Sequence, residues 1–151
     1  ILWLTLFRDK IDDIMEQVKC PVAVFVNRSY REGALVSFVL GGMIDVFLLS
    51  YLNIMLQNGH SVRLFLFETD DEEFHQCIDD LLAHYADQIV VVWFAGVEEL
   101  VTKEKDGLLV MSHLSYTKLS EDELVMRELS SLLVIRRNKN KGEKNERLEI
   151  G

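Results

Sequence analysis

The sequence predicts an α/β fold, a doubly wound sheet of five parallel strands preceded by one extra helix and one extra strand. The first indication is the apolar run from Ala34 to Leu40, which suits a strand buried on both faces and ends at the glycine pair Gly41-Gly42. The second is the alternation of short apolar runs with helical patterns from Ile44 to about residue 135. Because parallel strands need a crossover helix between them, this alternation predicts the fold class.

The part of the chain before residue 34 predicts elements that stand apart from this unit. Residues 3–18 have the spacing of an amphipathic helix, Pro21 ends it, and 22–26 form a compact apolar strand. The loop 27–33 is too short for a crossover helix. We therefore expect residues 1–30 to be the end of a preceding unit.

After the glycine pair, the predicted elements repeat the βα order. The predicted strands are 62–67, 88–94, 108–111 and 132–135. The predicted helices are 44–58, which Gly59 ends; 69–85, with Thr69 as its N-cap; 97–103; and 120–129, which a capping box of Ser120 and Glu123 begins. The composition of residues 112–120 predicts a polar loop, and that of residues 138–151 predicts a charged, mobile tail.

Charge and cysteine usage exclude several classes of function. The net charge of the 151 residues is −9, yet residues 136–151 carry six Lys or Arg and only three Glu, so the acidic body is more negative still. A nucleic-acid-binding face needs clustered basic residues, and we expect none. The two cysteines, Cys20 and Cys77, form no Cys-x-x-Cys pair, which argues against a disulfide or zinc site. The apolar opening before Arg8 is too short to span a bilayer, so we expect a soluble chain.

Several patches carry a family resemblance. They are Cys20 to Arg28 (CPVAVFVNR), Phe38 to Gly42 with Asp45, Asp106 to His113 (DGLLVMSH), and Ser131 to Arg136 (SLLVIR). In order and spacing they resemble the cytosolic C-terminal region of monovalent cation/proton antiporters, which looks like two tandem universal-stress-protein domains. The resemblance covers roughly residues 1–137.

The resemblance implies an organisation and a function. Residues 31–137 would be a universal-stress-protein-like domain with strand order 3-2-1-4-5, similar to adenine nucleotide alpha hydrolases, and residues 1–30 the end of a first repeat. The strand 22–26 would pair antiparallel with 132–135 and make a six-stranded sheet. The expected function is non-catalytic regulation of sodium or potassium/proton antiport at the cytoplasmic face of the bacterial inner membrane. The expected partners are the transmembrane domain, the first repeat and a second copy in a homodimer.

The sequence also departs from that family. Nucleotide-binding stress proteins hold phosphates with a glycine-rich loop after the fourth strand, and this chain has no glycine between Leu108 and Lys141. In the antiporter tails two acidic residues follow the glycine pair after one intervening residue, whereas here Ile44 takes the first position and only Asp45 remains. We therefore expect no cofactor beyond a weakly held adenine nucleotide. Two alternatives stay open, a stand-alone universal stress protein that binds an adenine nucleotide and a nucleotide-hydrolase-superfamily enzyme.

Candidate site residues follow from the sheet edge. Ligands of open α/β sheets bind at the carboxyl ends of the strands. The residues expected there are Gly41, Gly42, Asp45, Ser112 and His113. No catalytic set is found, and His75 and His84 lie out of phase on one helix, so no metal site is expected. Outside the core stripe of the helix from Ile44, three apolar residues predict an interface with a neighbouring chain or the first repeat: Leu49, Ile54 and Leu56.

Overall fold

A computed structural model describes residues 2–5 and 11–137. Its strands are β1 (Leu2–Thr5), β2 (Val22–Val26), β3 (Val36–Leu40), β4 (Val62–Phe67), β5 (Ile89–Phe94), β6 (Leu108–Ser112) and β7 (Ser131–Arg136). Its α-helices are α1 (Ile11–Gln17), α2 (Leu49–Gln57), α3 (Glu72–Tyr85), α4 (His113–Leu119) and α5 (Glu123–Glu128). Three short 3-10 helices cover Met43–Leu48, Ala86–Gln88 and Val97–Leu100. The predicted tail at 138–151 lies outside the described residues.

The strands form one seven-stranded sheet in the order β1-β2-β7-β6-β3-β4-β5. Every neighbouring pair is parallel except β2 and β7, which run antiparallel with Val24 opposite Val134. The predicted α/β class with a mainly parallel sheet is confirmed, and so is the antiparallel pairing of 22–26 with 132–135. β1 adds a seventh strand to the six that the sequence predicts.

The start of the chain differs from the predicted helix over 3–18. Leu2–Thr5 form β1, which pairs in parallel with β2, and the helix begins only at Ile11. A short apolar run such as Leu-Trp-Leu-Thr is compatible with either structure. The free edge of β2 offers backbone hydrogen-bond partners to Leu2–Thr5. This tertiary pairing overrides the local helical spacing.

Helices cover both faces of the sheet, as the doubly wound prediction requires. On one face, β-strand residues such as Val24, Met111 and Val134 pack with Ile11 and Tyr116 from α1 and α4. On the opposite face, the alternate strand residues pack with the 3-10 helix at Met43–Leu48, with α2 and with α3. This period-two alternation between the two apolar clusters is what a central sheet between two helical layers produces.

The helix after β3 does not have the single α-helical period that the sequence suggests. Its first six residues, Met43–Leu48, form a 3-10 helix, and α2 begins only at Leu49. A 3-10 segment advances about 120° per residue, since it has three residues per turn, and so changes which residues face the sheet. Leu56 is a core residue of this chain, 2% exposed, and Leu49 is half-buried against the same core. Their assignment to an interface is corrected; Ile54, 57% exposed, stays on the surface.

Three helix boundaries also differ from prediction. Residues 113–119, predicted as loop, form α4, whose N-cap is Ser112. The N-cap of α3 is Asp71, which accepts hydrogen bonds from the N–H groups of Glu73 and Phe74, while Thr69 lies before it. The N-cap of α5 is Asp122. Several serines, threonines and aspartates stand near each boundary, and only the packed position of the helix selects which one caps it.

Candidate functional site

The turn after β3 brings a backbone N–H group towards the carboxyl edge of the sheet. Gly42 has φ 154° and ψ −163°, a backbone region that is essentially restricted to glycine. Gly41 lies so close to the following helix that an added Cβ would stand 3.2 Å from Asp45 Oδ2. The glycine pair therefore has two separate roles: Gly42 makes the turn, and Gly41 permits a close approach to Asp45.

Asp45 is a buried carboxylate whose two oxygens differ. Its Oδ2 accepts a hydrogen bond from the Gly41 N–H at 2.6 Å and another from the Ser115 hydroxyl at 2.9 Å. Its Oδ1 is also buried and accepts no hydrogen bond from any described residue. The whole side chain is 1% exposed. Because buried polar atoms are normally paired, this orphaned oxygen marks the site as unusual.

A cavity of about 170 Å³ adjoins Asp45 at the carboxyl edge of β3, β4, β5 and β6. Its wall is mainly apolar, with Asp45 and Ser115 as its polar side chains and Lys118 as its basic residue. Among the lining residues from the sheet and the neighbouring helices are Val39, Phe67, Phe94, Leu100, Met111 and Leu119. The cavity lies where ligands of open α/β sheets bind, which is the location that the sequence predicts.

The predicted site divides into two groups in the structure. Gly41 and Asp45 line the cavity, and Gly42 lies between them in the turn. Ser112 is buried and its hydroxyl accepts the Ser115 N–H as the N-cap of α4. His113 lies at the start of α4, where its Nε2–H donates to Asp12 Oδ1 of α1 at 2.8 Å.

Of the five residues predicted for the site, Ser112 and His113 therefore do not line this cavity. The physical reason is that α4 begins directly after Ser112, which uses the serine hydroxyl as a cap and directs the next side chain towards α1. Ser115 and Lys118, three residues apart on α4, lie on the side of this helix that borders the cavity.

Two aromatic residues of the cavity wall were not predicted from the sequence. Phe67 and Phe94 end β4 and β5, and their rings meet edge-to-face with centroids 5.5 Å apart. Both line the cavity. The available signal was their position, because the carboxyl ends of neighbouring parallel strands share one sheet edge.

Perturbed pKa values occur outside the cavity. Burial, followed by the nearby carboxylates of Glu73, Asp80 and Asp71, raises the pKa of the Cys77 thiol, which disfavours the reactive thiolate. Hydrogen bonding to Arg63 is the main cause that lowers the pKa of Glu104 from 4.5 to about 2. Within residues 2–5 and 11–137, no group of three or more His, Cys, Asp or Glu is arranged to hold a metal ion.

Comparison with known proteins adds no identification, since no protein-family model and no curated protein matches the chain. Among the helices of the described ranges, none has both the length and the apolar character that crossing a bilayer requires.

Proposed function

We propose that this chain is a non-catalytic regulatory domain on the cytosolic side of a membrane monovalent cation/proton antiporter. In that protein, an upstream transmembrane part exchanges sodium or potassium for protons. The observation that carries the proposal is the junction of β2 and β7, where two strand–helix–strand units, β1–α1–β2 and β6–α4–α5–β7, meet antiparallel through their last strands. Two tandem universal-stress-protein-like repeats would meet in this way.

Reciprocal contacts across the junction support the same interpretation. Arg28, which follows β2, donates to the carbonyl of Leu129 just beyond α5 at 3.3 Å. Arg136, at the end of β7, donates to the carbonyl of Cys20 beyond α1 at 2.8 Å. The carboxyl ends of helices carry partial negative charge, so each guanidinium stabilises the helix of the other unit. We therefore assign residues 1–30 to the end of a first repeat and 31–137 to the second, with order 3-2-1-4-5 counted from β3.

The chemistry of the cavity favours regulation over nucleotide hydrolysis. Three phosphates need several convergent N–H donors or basic side chains, and the cavity has Lys118 and the acidic Asp45 instead. The segment from Leu108 to Lys141 contains no glycine that could form a phosphate loop. The alternative, a stand-alone universal stress protein that binds an adenine nucleotide, is favoured only by the location of the cavity. That alternative predicts micromolar ATP binding in titration calorimetry.

The proposal includes a homodimer in the intact protein. Of the three residues predicted for an interface, Ile54 on α2 is the one that remains on the surface. Sedimentation of the chain before and after Ile54→Glu tests this part, and a dimer unaffected by the substitution would exclude α2 from the interface.

The decisive experiment uses the complete gene product. We expect the reading frame upstream of Ile1 to encode ten or more apolar spans. Expressed in an antiporter-deficient bacterium, the complete protein should catalyse cation-dependent loss of the pH gradient in everted vesicles. Removal of residues 31–137 should leave the protein in the membrane but change the rate or the pH dependence of exchange. A reading frame without apolar spans would overturn the proposal, as would exchange that the deletion leaves unchanged.

A further inference from the structure

The entrance of the cavity beside Asp45 is unusually apolar. Ile44, Phe67 and Leu114 all line it, and they are 44%, 41% and 41% exposed. These are three of the seven large hydrophobic side chains that are exposed in the described part of the chain. Scattered exposed apolar residues need no explanation, but their concentration around one opening indicates a binding site for an apolar group.

The wall of the cavity adds a chemical requirement. Asp45 lines it, and Asp45 Oδ1 lacks a partner among the described residues while Oδ2 already accepts two hydrogen bonds. The missing partner must be a donor, because an ionised carboxylate only accepts hydrogen bonds. A carboxylate within an apolar wall pairs best with a cation, since charge-assisted hydrogen bonds are roughly twice as strong as neutral ones.

We propose that the cavity binds a small organic amine, whose protonated nitrogen donates to Asp45 Oδ1 and whose ring or branched chain packs between Phe94 and Met111. The volume of about 170 Å³ limits the apolar part to about one ring, because a cavity of about 150 Å³ holds benzene. This inference rests on the regulatory role in the proposed function and adds a class of ligand to it. The amine would be the signal that the domain reads.

The charge of Lys118 provides a second test of whether the ligand is a cation. Lys118 is exposed, lies at the cavity, and is the one basic residue among those that line it. Its ammonium repels an entering amine, and its flexible stem allows it to compete for Asp45. Removing this charge should therefore strengthen amine binding, whereas an anionic ligand would be weakened by the same change.

The substitution Asp45→Asn is a conservative probe. The asparagine carbonyl oxygen can accept the hydrogen bonds from the Gly41 N–H and the Ser115 hydroxyl, so the local fold is kept. Its NH₂ group then replaces Oδ1, and a donor stands where an acceptor stood. This variant therefore tests ligand recognition with little effect on folding. Asp87→Asn is the matched control, because Asp87 is an exposed aspartate just before β5, at the opposite end of that strand from the cavity.

The experiment titrates the isotope-labelled chain and follows the amide signals of Gly41, Asp45 and Ser115. The ligands are phenethylamine, 2-phenylethanol and 3-phenylpropionate, which share a ring and carry a cation, a neutral group and an anion. We expect phenethylamine to bind, 2-phenylethanol to bind at least about tenfold more weakly, and 3-phenylpropionate not to bind. Asp45→Asn should weaken phenethylamine binding at least about tenfold, and Lys118→Met should strengthen it about two- to fivefold. Asp87→Asn should change nothing.

The inference is overturned if none of the three ligands shifts these signals, or if the acid binds as well as the amine. It is also overturned if Asp45→Asn leaves amine affinity unchanged, or if the shifts map to α2 or α3 instead. Its outcome is separate from that of the proposed function, because binding is measured on the chain itself and antiport on the complete protein in vesicles. Amine binding to the chain, together with antiport that deletion of residues 31–137 leaves unchanged, would overturn the function and leave the site.

Discussion

The β2–β7 junction and the Asp45 cavity contain partly or fully buried charged groups of opposite sign. At the junction, Arg28 and Arg136 donate to carbonyl oxygens beyond the ends of α5 and α1, and His113 donates to Asp12. In the cavity, Asp45 accepts two hydrogen bonds on one oxygen and none from the described residues on the other. Arg136 Nη1 is also buried without a hydrogen-bond partner among the described residues, so the junction leaves a donor unpaired and the cavity leaves an acceptor, Asp45 Oδ1.

The strongest test of this comparison is to remove the carboxylate. Asp45→Ala leaves the Gly41 N–H and the Ser115 hydroxyl without their acceptor, and each unpaired buried donor costs about 1–3 kcal/mol. We expect the free energy of unfolding in urea to fall by about 2–4 kcal/mol. Asp45→Asn keeps an acceptor and should lie within about 1 kcal/mol of the wild type. Equal losses in the two variants would mean that the charge itself, and not the two hydrogen bonds, holds the turn.

Removing an arginine from the junction should have the next largest effect. Arg136→Met loses the hydrogen bonds to the carbonyls of Val18 and Cys20, and hydrogen bonds to charged groups contribute about 1.5–3 kcal/mol each. The substitution also removes Arg136 Nη1, buried and unpaired among the described residues, which offsets part of this cost, so we expect a net loss of about 2 kcal/mol in urea denaturation. Arg31→Met is the control, because Arg31 forms an exposed ion pair with Asp106 and should cost under about 1 kcal/mol. Similar losses at both positions would show that Arg136 is no more than a surface charge.

Disrupting the contact between His113 and Asp12 tests whether the junction and the cavity are independent. The contact is a partly exposed pair, for which about 0.2–1 kcal/mol is typical, so Asp12→Asn should lower the unfolding free energy by less than about 1 kcal/mol. The same variant should leave phenethylamine affinity unchanged, because His113 faces α1 rather than the cavity. A lower affinity for phenethylamine would show that His113 contributes to the ligand site and that the two regions are not independent.

The smallest expected effect is a pH dependence that belongs to neither region. The pKa of Glu104 is lowered to about 2, first by its hydrogen bond to Arg63, so the pair contributes stability above pH 4.5 and loses it as pH falls towards 2. Because Glu104 is 44% exposed, solvent screening limits this contribution to less than about 1 kcal/mol. Acid titration of the unfolding free energy should be flatter for Glu104→Gln than for the wild type. An identical slope would show that the ion pair is absent in solution.

The features that depend on a local sequence pattern could be predicted from the sequence alone. Apolar runs located β2 to β7 within a few residues, and the Gly41-Gly42 turn was recognisable because few residues other than glycine adopt such a backbone. The antiparallel pairing of 22–26 with 132–135 was also predicted correctly. The sheet edge and the glycine pair also pointed to Gly41 and Asp45, both of which line the cavity.

Tertiary structure decided what depends on contacts between distant residues. It turned Leu2–Thr5 into a strand, because β2 supplied a free edge, and it placed Leu56 in the core by starting the helix with 3-10 turns. Tertiary packing also directs His113 to Asp12 rather than to Asp45. It brings the Ser115 hydroxyl, 70 positions away in sequence, within hydrogen-bond distance of Asp45 Oδ2. Periodicity reports only which side of an element is apolar, whereas the orphaned Oδ1 is the outcome of many packed neighbours that no local pattern encodes.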